Sequence, residues 1–262
     1  MKTIHSQLQT TELKAIFSGH DAIPKNDLRN FYRTRAQNFT EQFFRRVLYT
    51  LEKEQVLVPM DVGMYAFKEQ EANRKGKFSH SPSKKLSSVH QFLQKAFPYL
   101  DYLCWETSLL LEFMTHQPGQ SLIVIEAEKD ACESVFNGLR EKYNGKVFLD
   151  PNRSMMEKYV LPQVDPMIVI PLISQSPRMT DSGIPFPKLE KILVDIFVNE
   201  DVFFAFQGRE LSNIYENAFA AYWMNERTMF RYASRRKADA KLREFIQKKT
   251  KIQLVLHKEN NP

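Results

Sequence analysis

The stretch Thr40-Glu-Gln-Phe-Phe-Arg-Arg-Val-Leu-Tyr-Thr-Leu-Glu-Lys53, followed at once by Gln55-Val-Leu-Val-Pro59 and Met64-Tyr-Ala-Phe67, decides how the amino-terminal part is read. Thr40 carries a hydroxyl that can accept a free N–H of a first helical turn, and Phe39 before it can staple onto Phe44 at the fourth helical position. Phe43, Phe44, Val47, Leu48 and Leu51 recur at helical spacing and form one apolar stripe, whereas Gln42, Arg45, Arg46, Tyr49 and Lys53 fall on the opposite face. The two short runs that follow are strand-like and flank Met60-Asp-Val-Gly63, where Gly63 can take the positive φ of a tight hairpin.

Upstream, Thr11–Phe17 places Leu13, Ile16 and Phe17 at helical spacing, and Gly19 offers a stop. After Ala22-Ile23-Pro24, residues Lys25–Arg33 carry Leu28, Phe31 and Tyr32 on one face, and a polar turn over 34–38 leads into Thr40. Three short helices followed by a hairpin predict a winged helix-turn-helix over residues 1–67, with 40–53 as the helix that enters a major groove. Arginine holds guanine with two hydrogen bonds and glutamine does the same for adenine, while lysine and tyrosine more often hold phosphates. The candidate DNA-binding set is therefore Gln42, Arg45, Arg46, Tyr49 and Lys53, completed by Arg35 and Thr40 before the helix and Tyr65 and Lys68 on the hairpin. Two alternatives use the same residues: a plain solvated helix face, and a winged helix that docks only protein.

Residues 68–88, KEQEANRKGKFSHSPSKKLSS, are polar and positively biased with no sustained periodicity, which predicts a basic linker or extended arm. From residue 89 to 250 the pattern alternates between helices and strands. Helices are expected over 89–96, 108–116 and 129–143, and strands over 102–105, 121–126, 146–149 and 167–173, the last almost wholly apolar. Beyond residue 186 the pattern turns helical over 187–198, 210–223, 226–234 and 236–249, and residues 251–262 read as a tail. The predicted class is mixed α/β (α+β): a winged helix-turn-helix, then an α/β domain with a helical carboxy-terminal part. Tyr215, Phe219, Tyr222 and Trp223 form an aromatic face that reads as core rather than a ligand cage.

Charge is unevenly spread. Residues 1–85 carry 15 Lys+Arg against 9 Asp+Glu, residues 86–224 carry 11 against 18, and residues 225–262 carry 11 against 4, within a chain of formal net charge +6. A basic head, an acidic middle and a basic tail point to different partners for different regions, polyanions among them. The amino terminus has no apolar run that would serve as a secretory signal, and no segment approaches the length of a membrane span, so a cytoplasmic protein is expected. Cys104 and Cys132 are the only cysteines and sit in apolar-patterned segments, as ordinary buried thiols do. The six histidines form no cluster, so neither metal nor cofactor is expected, and the sequence leaves the oligomeric state open.

An enzymatic alternative starts from Glu126-Ala-Glu128-Lys129 at a predicted strand end, with Glu106 and Glu112 upstream, since metal-dependent nucleases gather carboxylates and a lysine there. The acidic-x-Lys spacing is missing, because Ala127 stands two before Lys129, and Glu128 and Asp130 also fit the negative charge favoured at a helix N-terminus. There is no Walker loop, GxGxxG or GxSxG, which excludes the commonest nucleotide-binding and hydrolase signatures.

Taken together, the winged helix, Trp105-Glu106-Thr107 before a helix, Ile123-Val-Ile-Glu126 before a helix containing Val135-Phe136, Pro187-Lys-Leu-Glu-Lys-Ile-Leu-Val-Asp195 and Tyr232-Ala-Ser-Arg-Arg236 resemble the AbiEi-type antitoxins and related regulators of viral defence systems. Pro187, Glu190, Lys191 and Asp195 occupy the places of a family motif, with Lys191 standing where arginine is more usual. The resemblance implies a regulator that binds repeats in its own promoter through the winged helix. It also implies that the carboxy-terminal domain opposes a nucleotidyltransferase-type toxin, in a type IV toxin–antitoxin or phage-defence system. An acidic middle domain would suit the positive cleft of such a toxin.

Overall fold

A computed structural model describes residues 8–17, 20, 22–36, 38–61, 63–68, 76, 78–79 and 81–254. The expected stop at Gly19, residues 69–75, 77 and 80 of the 68–88 connector, and the 255–262 end of the tail lie outside the described residues. Contacts divide the chain into two compact units, Met1–Gly76 and Lys77–Pro262, and the protein is of mixed α/β class. Among the described residues no helix is long and apolar enough to cross a membrane.

In the first unit, α1 (Thr10–Phe17) is followed by β1 (Ile23–Pro24), α2 (Lys25–Arg35), α3 (Glu41–Lys53), β2 (Leu57–Asp61) and β3 (Met64–Phe67). The strands form an antiparallel sheet in the order β1-β3-β2, with Ile23 opposite Tyr65 and Leu57 opposite Phe67. This is the winged-helix topology, and it includes a strand that the sequence leaves as a plain connection. Two residues ending in proline give no alternation to read, yet Ile23 is fully buried, and Pro24 lies on the sheet edge, where its missing N–H costs no ladder bond. Gly63 has φ +72, as the hairpin requires, and its carbonyl accepts from Lys25 N at 2.7 Å.

The core of this unit is built from Leu8, Leu13, Phe17, Ile23, Leu28, Phe31, Tyr32, Phe44, Val47, Leu48, Leu51, Leu57 and Phe67. Ile16, placed on the helical stripe by spacing, is instead 45% exposed. The staple forms, with the rings of Phe39 and Phe44 6.3 Å apart, and Thr40 Oγ1 accepts from Phe43 N at 3.0 Å. Removing that cap orphans an N–H at the start of the helix. Thr40→Ala is therefore expected to lower stability by about 1 kcal/mol in urea denaturation, with Thr40→Ser close to wild type.

The second unit opens with α4 (Lys84–Ala96), which begins inside the stretch 68–88 read from sequence as linker. Ser83 is the cause: its Oγ accepts from Leu86 N at 3.0 Å, while Leu86, Val89 and Leu93 supply the buried face. Then come β4 (Tyr102–Glu106), a 3₁₀ helix (Thr107–Phe113), β5 (Ile123–Ala127), α5 (Cys132–Lys142), β6 (Val147–Leu149), β7 (Met167–Pro171), β8 (Arg178–Asp181) and β9 (Ile184–Pro187). Four helices close the unit: α6 (Leu189–Val198), α7 (Arg209–Ala221), α8 (Glu226–Arg235) and α9 (Asp239–Lys249). The main sheet has the order β4-β5-β7-β6, with β4 antiparallel to β5 and the β5–β7 and β7–β6 pairs parallel. β5 is buried at every position and β7 at all but its last, as residues between two layers must be.

Two further expectations differ from the structure of the second unit. The 108–116 helix is a 3₁₀ helix over Thr107–Phe113, and Pro187 closes a strand instead of opening a helix. In the second case Ser182 and Gly183 have φ of +50 and +81, the two positive values of a type I′ turn, so 178–187 folds into the β8–β9 hairpin. Cys104 and Cys132 are free and buried, as expected.

Candidate nucleic-acid interface

Helix α3 is held from behind by its buried stripe and at its start by Arg29, whose Nε lies 3.3 Å from Glu41 Oε1 and whose guanidinium sits over the Phe44 ring at 5.5 Å. The outward face is open. Gln42, Arg45, Arg46, Tyr49 and Lys53 are all exposed, Tyr49 to 65%, and their side chains make no hydrogen bond or ion pair among the described residues. An exposed tyrosine flanked by unpaired cations, on a helix whose other side is fully packed, has the chemistry of a surface that meets phosphates and base edges.

The other four predicted residues are tied into the fold. Arg35 lies back on its own helix, with Nε 3.6 Å from Glu12 Oε2 and its guanidinium 4.4 Å over the Phe31 ring. Thr40 spends its hydroxyl on the α3 cap. Tyr65 is half-buried, and burial together with hydrogen-bonded Glu52 raises its pKa above the ordinary phenol value. Lys68 donates to Gln55 Oε1. The sequence reading missed Arg33, which is exposed on the last turn of α2 and unpaired among the described residues. Its signal was present: with Leu28, Phe31 and Tyr32 buried, position 33 must face outward, on the helix that crosses the DNA backbone in helix-turn-helix proteins.

The motif residues of the second unit form a different arrangement. Lys191 on α6 is fully buried, with Nζ 2.6 Å from both carboxylate oxygens of Glu126 on β5 and in contact with Asp195 one helical turn on. Trp105 Nε1 donates to Glu126 Oε1 at 3.0 Å, Tyr232 OH donates to Asp195 Oδ1 at 2.9 Å, and Arg236 Nε approaches the same oxygen at 3.7 Å. Burial alone would push the Lys191 pKa down, but Asp195 and Glu126 outweigh it and hold the ammonium charged. Glu190 is also buried and accepts from Asn225 N at 2.9 Å, so three motif side chains are interior, and Pro187 is the buried end of β9.

This geometry separates the carboxylates of the nuclease alternative. Glu126 is saturated by Lys191 and Trp105, Glu106 accepts from Ser83, Glu112 accepts from Tyr222, and Glu128 stands exposed. No group of three or more potential metal ligands occurs among the described residues. Four of the 18 acidic residues in 86–224, namely Glu106, Glu126, Glu190 and Asp195, are buried, so part of the acidic balance of the middle region never reaches the surface.

No curated protein matches the chain. The profile of a family of unknown function, DUF6577, matches residues 43–252, from within α3 to just beyond α9. With four-fifths of its length covered, the chain belongs to the DUF6577 family.

Proposed function

We propose that the protein is a DNA-binding transcriptional regulator acting on the promoter of its own gene. The observation that carries this reading is the α3 face, where Gln42, Arg45, Arg46, Tyr49 and Lys53 project without intramolecular partners from the recognition position of a winged helix. The cations of this face have no ion-pair partner among the described residues, and a phosphate backbone supplies the missing counter-charge. The antitoxin role rests on the resemblance to the AbiEi type. On that reading a nucleotidyltransferase-type toxin docks on exposed residues of the second unit, because Glu190, Lys191 and Asp195 are enclosed.

The test is binding of the purified chain to duplex from upstream of its own gene, against unrelated duplex, at two salt concentrations with and without magnesium. Selective, salt-weakened binding without cleavage is the expected result. Equal affinity for both duplexes would overturn the promoter assignment, and magnesium-dependent cleavage would move the protein into the nuclease class.

A further inference from the structure

We infer that the exposed face of α8 is a second DNA-binding surface, one that grips the phosphate backbone without reading sequence; it rests on the reading of the protein as a DNA-binding regulator. Arg227, Arg231 and Arg235 follow one another at intervals of four residues and are all exposed, so their guanidinium groups form a row along one side of the helix, about 6 Å apart along its axis. Arg227 and Arg231 have no hydrogen bond or ion pair among the described residues, and Arg235 reaches only the hydroxyl of Ser174, at 3.1 Å. Lys237, two residues beyond the end of the helix, is exposed and adds a fourth cation.

The fold gains little from Arg227 and Arg231, whereas Arg235 stands in the last turn, where the helix dipole accepts a cation, and holds the Ser174 hydroxyl. Like charges at i,i+4 destabilise a helix, and Arg227 stands in the first turn, where the helix dipole disfavours a cation. Lys237 holds φ +54, a left-handed conformation that a lysine adopts at a cost and for which glycine or asparagine is the ordinary choice. Nearby acids are engaged elsewhere: Asp239 pairs with Arg243 at 3.2 Å, and Glu244 with Lys248 at 2.7 Å. Arg236, by contrast, turns inward to Asp195, which separates the cation that serves the fold from those that do not.

The kind of partner follows from what is missing around the row. No large apolar side chain is exposed between residues 225 and 254, so this face lacks the aromatic and aliphatic anchors of a protein interface and the apolar wedge of a membrane-surface helix. A bare row of guanidinium groups suits phosphodiesters, which are bound through charge and forked hydrogen bonds.

The experiment uses the full chain carrying Arg227→Gln, Arg231→Gln and Arg235→Gln together, with affinity for promoter and unrelated duplex measured across a series of salt concentrations. Each phosphate contact contributes roughly 0.9 to the slope of log affinity against log salt, so the slope is expected to fall by about two to three on both duplexes, with the preference between them intact. The matching Arg→Lys triple variant keeps the charge and should keep the slope. If the glutamine triple fails to fold, Arg231→Gln alone carries the test at about one-third of the change. An unchanged slope and affinity would overturn the inference, as would a loss of preference at constant slope. Should Arg45→Ala with Arg46→Ala leave binding untouched while the α8 variant weakens it, the α3 reading fails and this one stands. A wild-type chain that binds neither duplex overturns both.

Discussion

Lys191→Met is expected to destabilise the second unit by about 3–5 kcal/mol, a large share of a domain's usual stability. Methionine matches the length of the lysine stem, so the cost comes from charge and not from a cavity. In the wild type one ammonium serves Glu126 and Asp195 at once, and its removal leaves two carboxylates in the interior with Trp105, Tyr232 and the more distant Arg236 as their remaining partners. Burial already pushes the Glu126 carboxyl up against the opposing pull of Lys191, with Asp195 adding to the rise. Without Lys191 nothing opposes that rise at Glu126 except the Trp105 hydrogen bond, and the native state is expected to hold the Glu126 carboxyl protonated. A carboxyl whose folded pKa lies above its unfolded value stabilises at low pH and loses that contribution as pH rises through the folded value. The deficit relative to wild type should thus be larger at pH 8 than at pH 5.5, and adding Glu126→Gln with Asp195→Asn should recover part of it. Urea denaturation at the two pH values measures all of this. A deficit under 1 kcal/mol that does not vary with pH would mean that the cluster is not charged as described.

That cluster shows where the sequence stops being legible. Glu126 could be placed at a strand end, and Lys191 and Asp195 on one helix face, but Glu126 and Lys191 stand 65 positions apart. Only the packing of α6 against the end of β5 brings them together, and no local periodicity encodes a pairing of that kind. The same carboxylate therefore looked like a possible metal ligand, when its partner was an interior lysine. Local signals did better. The Thr40 cap, the Phe39–Phe44 staple and the apolar stripe of α3 are set by neighbours within one or two turns, and each appears where spacing put it. β1 was out of reach because two residues carry no period, whereas the β8–β9 hairpin was within reach: Ser182-Gly183 between alternating residues is a turn signal that the prolines at 185 and 187 obscured. The candidate DNA-binding set is intermediate. Spacing alone selected the five open residues of α3, but it could not know that Arg35, Thr40, Tyr65 and Lys68 were committed to partners inside the unit.

The five open residues give the other large effect. Arg45→Ala with Arg46→Ala is expected to weaken binding to the promoter duplex by about 2–6 kcal/mol, since a two-pronged arginine–guanine contact is worth roughly 1–3 kcal/mol of discrimination. Binding to unrelated duplex should fall less, because there the loss is one of phosphate attraction alone, and the preference between the two duplexes should collapse. Both side chains are exposed and unpaired among the described residues, so their removal should shift folding stability by no more than about 0.5 kcal/mol, and alanine in mid-helix favours α3 if anything. Affinity and stability are thereby separated in one variant. Gln42→Ala tests the same face at its amino-terminal end and should relax selectivity at a single base pair while leaving the salt slope unchanged, because an amide neutralises no phosphate. If the double arginine variant kept its preference for the promoter, α3 would not be the reading helix. Its unpaired arginines would then need an acidic protein partner to explain them, and a winged helix that docks protein would become the better account of the first unit.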